Sequence, residues 1–220
     1  VCWSVKDRKT AESKQIELEL KPLLAFRDHH HLRREDADFS GDFTVTENLV
    51  SVAPYREMPR LYLANNASLI EAQGHWYRNF EYTIERERGF DFTEDLFQPF
   101  SMTFDLAADA VVIASTEPKQ IDDARAFEVK ELSRRTALVK AAGATNEFEK
   151  QLVLAADQFI VSRSTGKTVI AGYPWFSDWG RDTMIALPGL TLSTGRSDVA
   201  RGILLEFSDH ISDGMLPNRF

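Results

Sequence analysis

The sequence predicts a multidomain protein of mixed α and β structure, with an N-terminal antiparallel β-sandwich, a helical linker and a helical second domain. Its 220 residues, 43% of them apolar, are enough for one ordinary domain or two small ones with at least one core. Apolar residues alternate with polar ones up to about residue 117 and recur at helical spacing from about residue 118. The predicted domains are therefore the sandwich over 1–117, the linker over 118–145 and the second domain over 146–220.

The N-terminal segment contains short stretches typical of β-strands. Apolar and polar residues alternate within them, and proline, glycine and asparagine separate them. Short strands divided by turn residues favour an antiparallel sandwich. The predicted strands cover 16–20, 43–47, 61–63, 80–85 and 110–114.

The remainder of the chain has helical periodicity. Residues 121–141 are rich in Ala, Glu, Lys and Arg with loosely spaced apolar residues, which predicts a surface linker helix that ends at Gly143. Asn146 and Glu149 form a capping pair that begins the second domain. Two further helices are predicted to start near Asp182 or Thr183 and at Ser197 or Asp198. Because the chain lacks an initiating Met and these helices leave apolar faces uncovered, we expect the sequence to be truncated at both ends.

Composition argues against several classes of partner. A net charge of −8 gives no general attraction to nucleic acid or to anionic lipid. No apolar run approaches the roughly 20 residues that cross a bilayer. The single Cys2 cannot form an intrachain disulfide, which is compatible with a reducing compartment, so the expected location is the cytoplasm.

Two motifs have a structural interpretation beside a functional one. His29, His30 and His31 could bind a metal, but adjacent residues of a strand point to opposite faces, so we expect no metal site. The aromatic stretch 76–82 could stack on a ligand or form the packed face of a strand, and we favour packing.

Residues 171–183 combine aromatic rings, two carboxylates, a guanidinium and two glycines. Arg181 and Asp182 together offer donors and acceptors to the hydroxyls of a neutral sugar, while the indole of Trp175 or Trp179 can cover its C–H face. Alternatively, Asp182 caps a helix and the two tryptophans lie between domains. The residues alone leave both interpretations open.

Residues 173–190 resemble the segment that opens the catalytic domain of prokaryotic glycogen debranching enzymes, the amylo-alpha-1,6-glucosidase family, which is related to glucoamylases. Residues 24–30, 76–82 and 88–96 resemble the N-terminal domain of the same enzymes. The resemblance implies an N-terminal β-supersandwich, a helical linker and the first helices of an (α/α)6 barrel. It further implies that glucose is bound by Trp175, Trp179, Arg181, Asp182, Asn218 and Arg219.

The resemblance also implies an activity, which is the inverting hydrolysis of alpha-1,6-linked glucose branches without metal or cofactor. The expected substrates are glycogen, limit dextrin or malto-oligosaccharide. Asp178 and Asp182 come from one loop, whereas the acid and the base act from opposite faces of the sugar. The catalytic carboxylates are therefore expected beyond Phe220, and this chain alone is expected to be inactive.

Other functions remain open at this stage. A glucoamylase-like or trehalase-like hydrolase is the alternative among enzymes. A non-catalytic carbohydrate-binding or assembly module is the alternative of another class. The sequence makes no prediction about the oligomeric state.

Overall fold

The computed structural model describes residues 1–4, 15–28, 31–163, 166–173 and 176–219. The chain divides into two compact units, Val1–Phe127 and Glu128–Phe220. Within the described residues, no helix is both long and apolar enough to span a membrane.

The first unit is built from antiparallel strands and one short helix. Its elements are β1 (Cys2–Trp3), β2 (Glu17–Leu20), β3 (Phe43–Thr46), β4 (Leu49–Val52), β5 (Leu61–Asn65), β6 (Leu69–Glu81), α1 (Thr83–Glu87), β7 (Thr93–Asp105) and β8 (Ala110–Ser115). They form one sheet in the order β1-β8-β5-β4-β3 and another in the order β2-β7-β6.

The two sheets of this unit share a core. One sheet contributes Val50 and Leu63, the other contributes Phe100 and Met102, and all four side chains are buried. The N-terminal antiparallel β structure that the alternating pattern predicts is confirmed. The predicted strands at 16–20, 43–47, 61–63 and 110–114 coincide with β2, β3, β5 and β8.

The predicted strand over 80–85 is wrong after Glu81, where α1 begins almost at once. The backbone N–H of Arg86 donates to the Tyr82 carbonyl, and Gly89 adopts a left-handed φ of 76° just beyond the helix. Glycine reaches that conformation without steric penalty, so it closes the turn that returns the chain to β7. Strand β7 was not predicted, because a strand buried on both faces does not alternate.

The second unit mixes helices with a small sheet. Its elements are α2 (Asp123–Ala141, which crosses the boundary between the units), α3 (Glu147–Gln158), β9 (Ile160–Arg163), β10 (Gly166–Gly172), β11 (Phe176–Asp178), α4 (Gly180–Leu190), a 3-10 helix (Leu192–Thr194) and α5 (Ser197–Ser208). The predicted linker helix corresponds to α2. Asn146 caps α3 as predicted, because its side chain accepts the N–H of Glu149 at 3.0 Å.

The second domain, predicted as helical from periodicity, also contains a sheet that was not predicted. An antiparallel sheet in the order β11-β10-β9 stands between α3 and α4. Val169 of β10 packs with Leu187 of α4 and with Ile203 and Phe207 of α5 in the core of the unit. Helices α4 and α5 therefore cover the middle strand of this sheet.

Candidate functional site

The sheet of the second unit leads directly into the predicted sugar-binding segment. Strand β11 pairs with β10 through Ile170 opposite Asp178, and α4 begins two residues later. The Asp178 carboxylate forms an ion pair with Arg163 and accepts a hydrogen bond from the Thr168 hydroxyl at 3.1 Å. This anchoring fixes the point from which Trp179, Arg181 and Asp182 follow.

The first turn of α4 is capped by a residue that lies 37 positions further along the chain. Trp179 occupies the N-cap position and makes no side-chain capping bond. The Asn218 carbonyl oxygen instead accepts the N–H of Gly180 at 2.8 Å, and its Oδ1 accepts the N–H of Arg181 at 2.9 Å. Asn218 thus satisfies two donors that a helix start leaves unpaired.

Gly180 makes this capping possible because it has no side chain. A Cβ at this position would overlap the Pro217 carbonyl oxygen and would lie 3.2 Å from Phe207 Cε1 and 3.3 Å from Asn218 Cα. The backbone around Pro217 and Asn218 therefore approaches the helix more closely than any other residue would permit. The helix starts two residues before the predicted Asp182 because its cap comes from a distant segment.

Arg181 and Asp182 are adjacent and both remain accessible to a ligand. Their side chains are 69% and 41% exposed, and Nη2 of Arg181 lies 3.5 Å from Oδ2 of Asp182. Oδ2 itself is out of contact with solvent and, among the described residues, accepts no hydrogen bond. A buried carboxylate oxygen that accepts no hydrogen bond is uncommon, and the Arg181 guanidinium is the charged group beside it.

Asp182 lines a cavity of about 310 Å3 within the second unit. Apolar side chains form most of its wall, among them Phe159, Val169, Ile185 and Leu190. The cavity therefore offers one charged hydrogen-bond acceptor in an otherwise largely apolar wall.

The structure brings together only some of the predicted site residues. Asn218 reaches Gly180 and Arg181, whereas the described part of the cavity wall contains Asp182 but not Trp179, Arg181, Asn218 or Arg219. Trp179 is half-buried and meets Phe176 edge to face at 6.1 Å between ring centroids. Arg219 is exposed, and Trp175 lies outside the described residues.

The capping role of Asn218 is the contribution that sequence reasoning missed. Its two oxygens engage backbone N–H groups, so Asn218 positions the helix start rather than offering those oxygens to a ligand. One signal could have indicated this role. Gly180 begins a helix whose N-cap residue, Trp179, has no side chain that can accept a capping hydrogen bond.

The described residues contain no group of three side chains suited to a metal ion. His29 and His30, which the metal interpretation used, lie outside the described residues.

Comparison with known proteins identifies the same family at both ends of the chain. Residues 1–113 match the family model described as glycogen debranching enzyme N terminal, and residues 154–220 match amylo-alpha-1,6-glucosidase. A glycogen debranching enzyme of Saccharomyces cerevisiae is 41% identical over 56 residues, which are 23% of this chain and 4% of that protein. The match thus spans a small part of its curated relative, and no solved structure matches the chain significantly. Since the first family model alone covers more than half of the sequence, this chain belongs to the glycogen debranching enzyme family.

Proposed function

We propose that this chain is part of an enzyme that hydrolyses alpha-1,6-linked glucose branches of glycogen or limit dextrin with inversion. The start of α4 would bind the glucose unit whose bond is cleaved. The observation that carries the proposal is the Asp182 carboxylate, which lines an apolar cavity and lies beside the exposed Arg181 guanidinium.

Each residue has a distinct part in this proposal. Arg181 donates to sugar hydroxyls, and the Asp182 carboxylate accepts from one. Asn218 and Gly180 hold the helix start in place, and Trp179 covers a C–H face of the ring. Trp175 and Arg219 remain in the proposal as further contacts with the substrate.

The catalytic acid and base are proposed to lie on helices beyond Phe220. Asp178 is already engaged by Arg163 and Thr168, which speaks against a role in proton transfer. An inverting hydrolase holds its two carboxyl groups roughly 6.5 to 9.5 Å apart on opposite faces of the sugar. Asp182 by itself can supply at most one of the two carboxyl groups of such a pair.

The proposal includes the (α/α)6 barrel of which α3, α4 and α5 would be the first helices. Phe148, Leu152 and Ile185 are 69%, 53% and 76% exposed, which is unusual for large apolar side chains in the faces of two neighbouring helices. Further helices of a barrel would cover them. A cytoplasmic location, in keeping with the single Cys2, belongs to the same proposal.

The test uses the complete gene product with limit dextrin as the substrate. Arg181→Ala is expected to lower kcat/KM about ten- to hundredfold, because one charge-assisted hydrogen bond is lost. Arg201→Ala, which removes an exposed arginine from α5, is the matched control and should change kcat/KM less than about twofold. Both variants should unfold at the temperature of the unmodified protein.

The products distinguish the mechanism. Inversion predicts that proton NMR detects β-glucose before mutarotation produces the α anomer. If limit dextrin yields no free glucose, the proposed activity is wrong. If Arg181→Ala and Arg201→Ala are equally active, the proposed role of Arg181 is wrong.

A further inference from the structure

The sandwich unit contains a second concavity, which the proposed hydrolysis does not use. A cavity of about 850 Å3 is lined by residues 26–28 and 31–37 on one side and by Tyr55, Glu57 and Met58 on the other. Guanidinium and carboxylate groups line it together, among them Arg33, Arg34, Glu35 and Asp36. Such a volume is ample for several linked sugar units.

The buried carboxylate of Glu94 forms hydrogen bonds with residues that line this cavity. Glu94 is fully buried and accepts hydrogen bonds from Arg27 Nε at 2.5 Å, Tyr82 Oη at 2.6 Å and the backbone N–H of Arg33 at 3.1 Å. Burial by itself raises the pKa of Glu94, but the hydrogen bonds from Arg27, Tyr82 and the Arg33 N–H outweigh it and place the pKa below its usual value. Glu94 is therefore an ionised structural group.

The neighbouring carboxylate holds the same segment at a second point. Asp95 accepts the backbone N–H groups of Glu35 at 2.9 Å and of Asn79 at 2.8 Å. Because Arg33 and Glu35 are both held through their backbone, the cavity wall is formed before any ligand arrives. A preformed site loses less conformational entropy on binding.

Phe26, at one end of this wall, has a rare backbone conformation. Its φ is 47°, which is sterically unfavourable for a bulky residue. This turn keeps the Phe26 ring against the apolar cluster that includes Phe97, while the next residue, Arg27, reaches Glu94. Such strained residues occur disproportionately at ligand sites.

The charges around the cavity are nearly balanced. Arg33 donates to Tyr55 Oη at 2.8 Å and to Asp36 at 3.0 Å, and the Tyr55 hydroxyl donates to Asp36 at 2.9 Å. Arg34, whose side chain is 57% exposed, and Met58, which is 37% exposed, add a donor and an apolar contact. Carboxylates would repel an anion and guanidinium groups a cation, so the lining suits a neutral ligand with many hydroxyls.

We propose that this cavity of the sandwich unit binds a stretch of neutral α-glucan, apart from the site at α4. The choice of a glucose polymer among neutral polyhydroxyl ligands rests on the proposed function. The site itself rests on the preformed wall and on the balanced charges of the cavity.

The experiment occludes the cavity without removing a contact that holds its wall. Ala37 lines the cavity and is exposed, so Ala37→Trp should fill the space while the fold is kept. Ala108→Trp introduces the same side chain at an exposed turn between β7 and β8 and is the matched control. Calorimetric titration of the full 220-residue chain with maltoheptaose measures the affinity of each variant.

We expect saturable binding that Ala37→Trp weakens about tenfold or more and that Ala108→Trp leaves within about twofold. Arg34→Ala should also weaken maltoheptaose binding about tenfold through the loss of a charge-assisted hydrogen bond. If circular dichroism shows that Ala37→Trp disturbs the fold, Arg34→Ala serves as the test variant in its place. Inorganic phosphate should not compete. Equal affinities of both tryptophan variants, absence of binding, or competition by phosphate would each overturn the inference.

The two proposals can fail separately. Arg181→Ala should leave maltoheptaose binding at the sandwich cavity unchanged, and Ala37→Trp should leave the hydrolysis of short branched substrates by the complete gene product unchanged. If Arg181→Ala abolishes all binding while Ala37→Trp has no effect, the sandwich site is wrong and the α4 site stands. If the complete gene product releases no glucose but Ala37→Trp weakens binding, only the proposed hydrolysis fails.

Discussion

Replacing Gly180 by alanine tests how Pro217 and Asn218 are held against the first turn of α4. The new Cβ would overlap the Pro217 carbonyl oxygen, and this atom belongs to the backbone, so it cannot rotate away as a side chain would. The segment must move back from the helix. The hydrogen bonds that Asn218 accepts from the N–H groups of Gly180 at 2.8 Å and of Arg181 at 2.9 Å are then lost.

The expected magnitude follows from these contacts. Two hydrogen bonds contribute about 1 kcal/mol each, and alanine at the helix start recovers about 0.5 kcal/mol of backbone entropy. The net loss is about 1.5 kcal/mol, which corresponds to about a tenfold larger population in which this segment is detached. Hydrogen exchange of the Gly180 and Arg181 amides measures that population directly.

The control is an alanine placed where the same substitution meets open space. Gly202 lies in the interior of α5, and a Cβ added there would have no neighbouring atom within 4 Å outside its own helix backbone. Gly202→Ala should therefore stabilise the chain by about 0.5 to 1 kcal/mol. If Gly180→Ala leaves the exchange of both amides as slow as Gly202→Ala does, the close approach of Pro217 and Asn218 is not what caps α4.

Three further predictions concern groups whose contacts are defined by the structure. Asn218→Ala should expose the Arg181 amide to exchange about fivefold to tenfold faster, whereas Asn218→Asp, which keeps the accepting oxygen, should preserve protection; equal exchange in both variants would contradict the capping role. Asn146→Ala should lower the free energy of unfolding by about 1 kcal/mol in urea denaturation through loss of the cap on α3, and an unchanged midpoint would contradict it. Glu94→Gln should cost about 3 kcal/mol, because the Arg27 guanidinium loses its buried partner. The folded pKa of Glu94 lies below the usual 4.5, so the stabilisation from its ionised form is fully present above pH 4.5 and is lost as the pH falls through the folded pKa. If the free energy of unfolding of Glu94→Gln declines with acid as steeply as that of the unmodified protein, this assignment is refuted.

Local interactions were predictable from the sequence wherever cause and effect lie a few residues apart. The cap on α3 joins Asn146 to Glu149, and the alternation in β2 reflects which face of the strand packs on the core. Helix α2 follows from the helix-forming composition of 121–141. Each of these features depends on backbone propensity and on short-range hydrogen bonds, which the order of residues specifies directly.

The candidate site at α4 was predicted in part for the same reason. The mixture of residues in 171–183 pointed to Arg181 and Asp182, and the structure leaves both side chains accessible. The role of Asn218 and the need for Gly180 at its position could not be predicted, because they depend on a contact between segments 37 residues apart. Sequence spacing carries no information about which distant backbone atoms come within hydrogen-bonding distance.

The sequence by itself determined the family, the β character of the first segment and the charged pair at the start of α4. Only the tertiary structure decided that Arg27 meets Glu94 across 67 positions, that β7 is buried on both faces and that a sheet stands between α3 and α4. The physical reason is that a buried charge or a fully buried strand is stable only with partners supplied by other elements. Those partners are brought together by packing between elements.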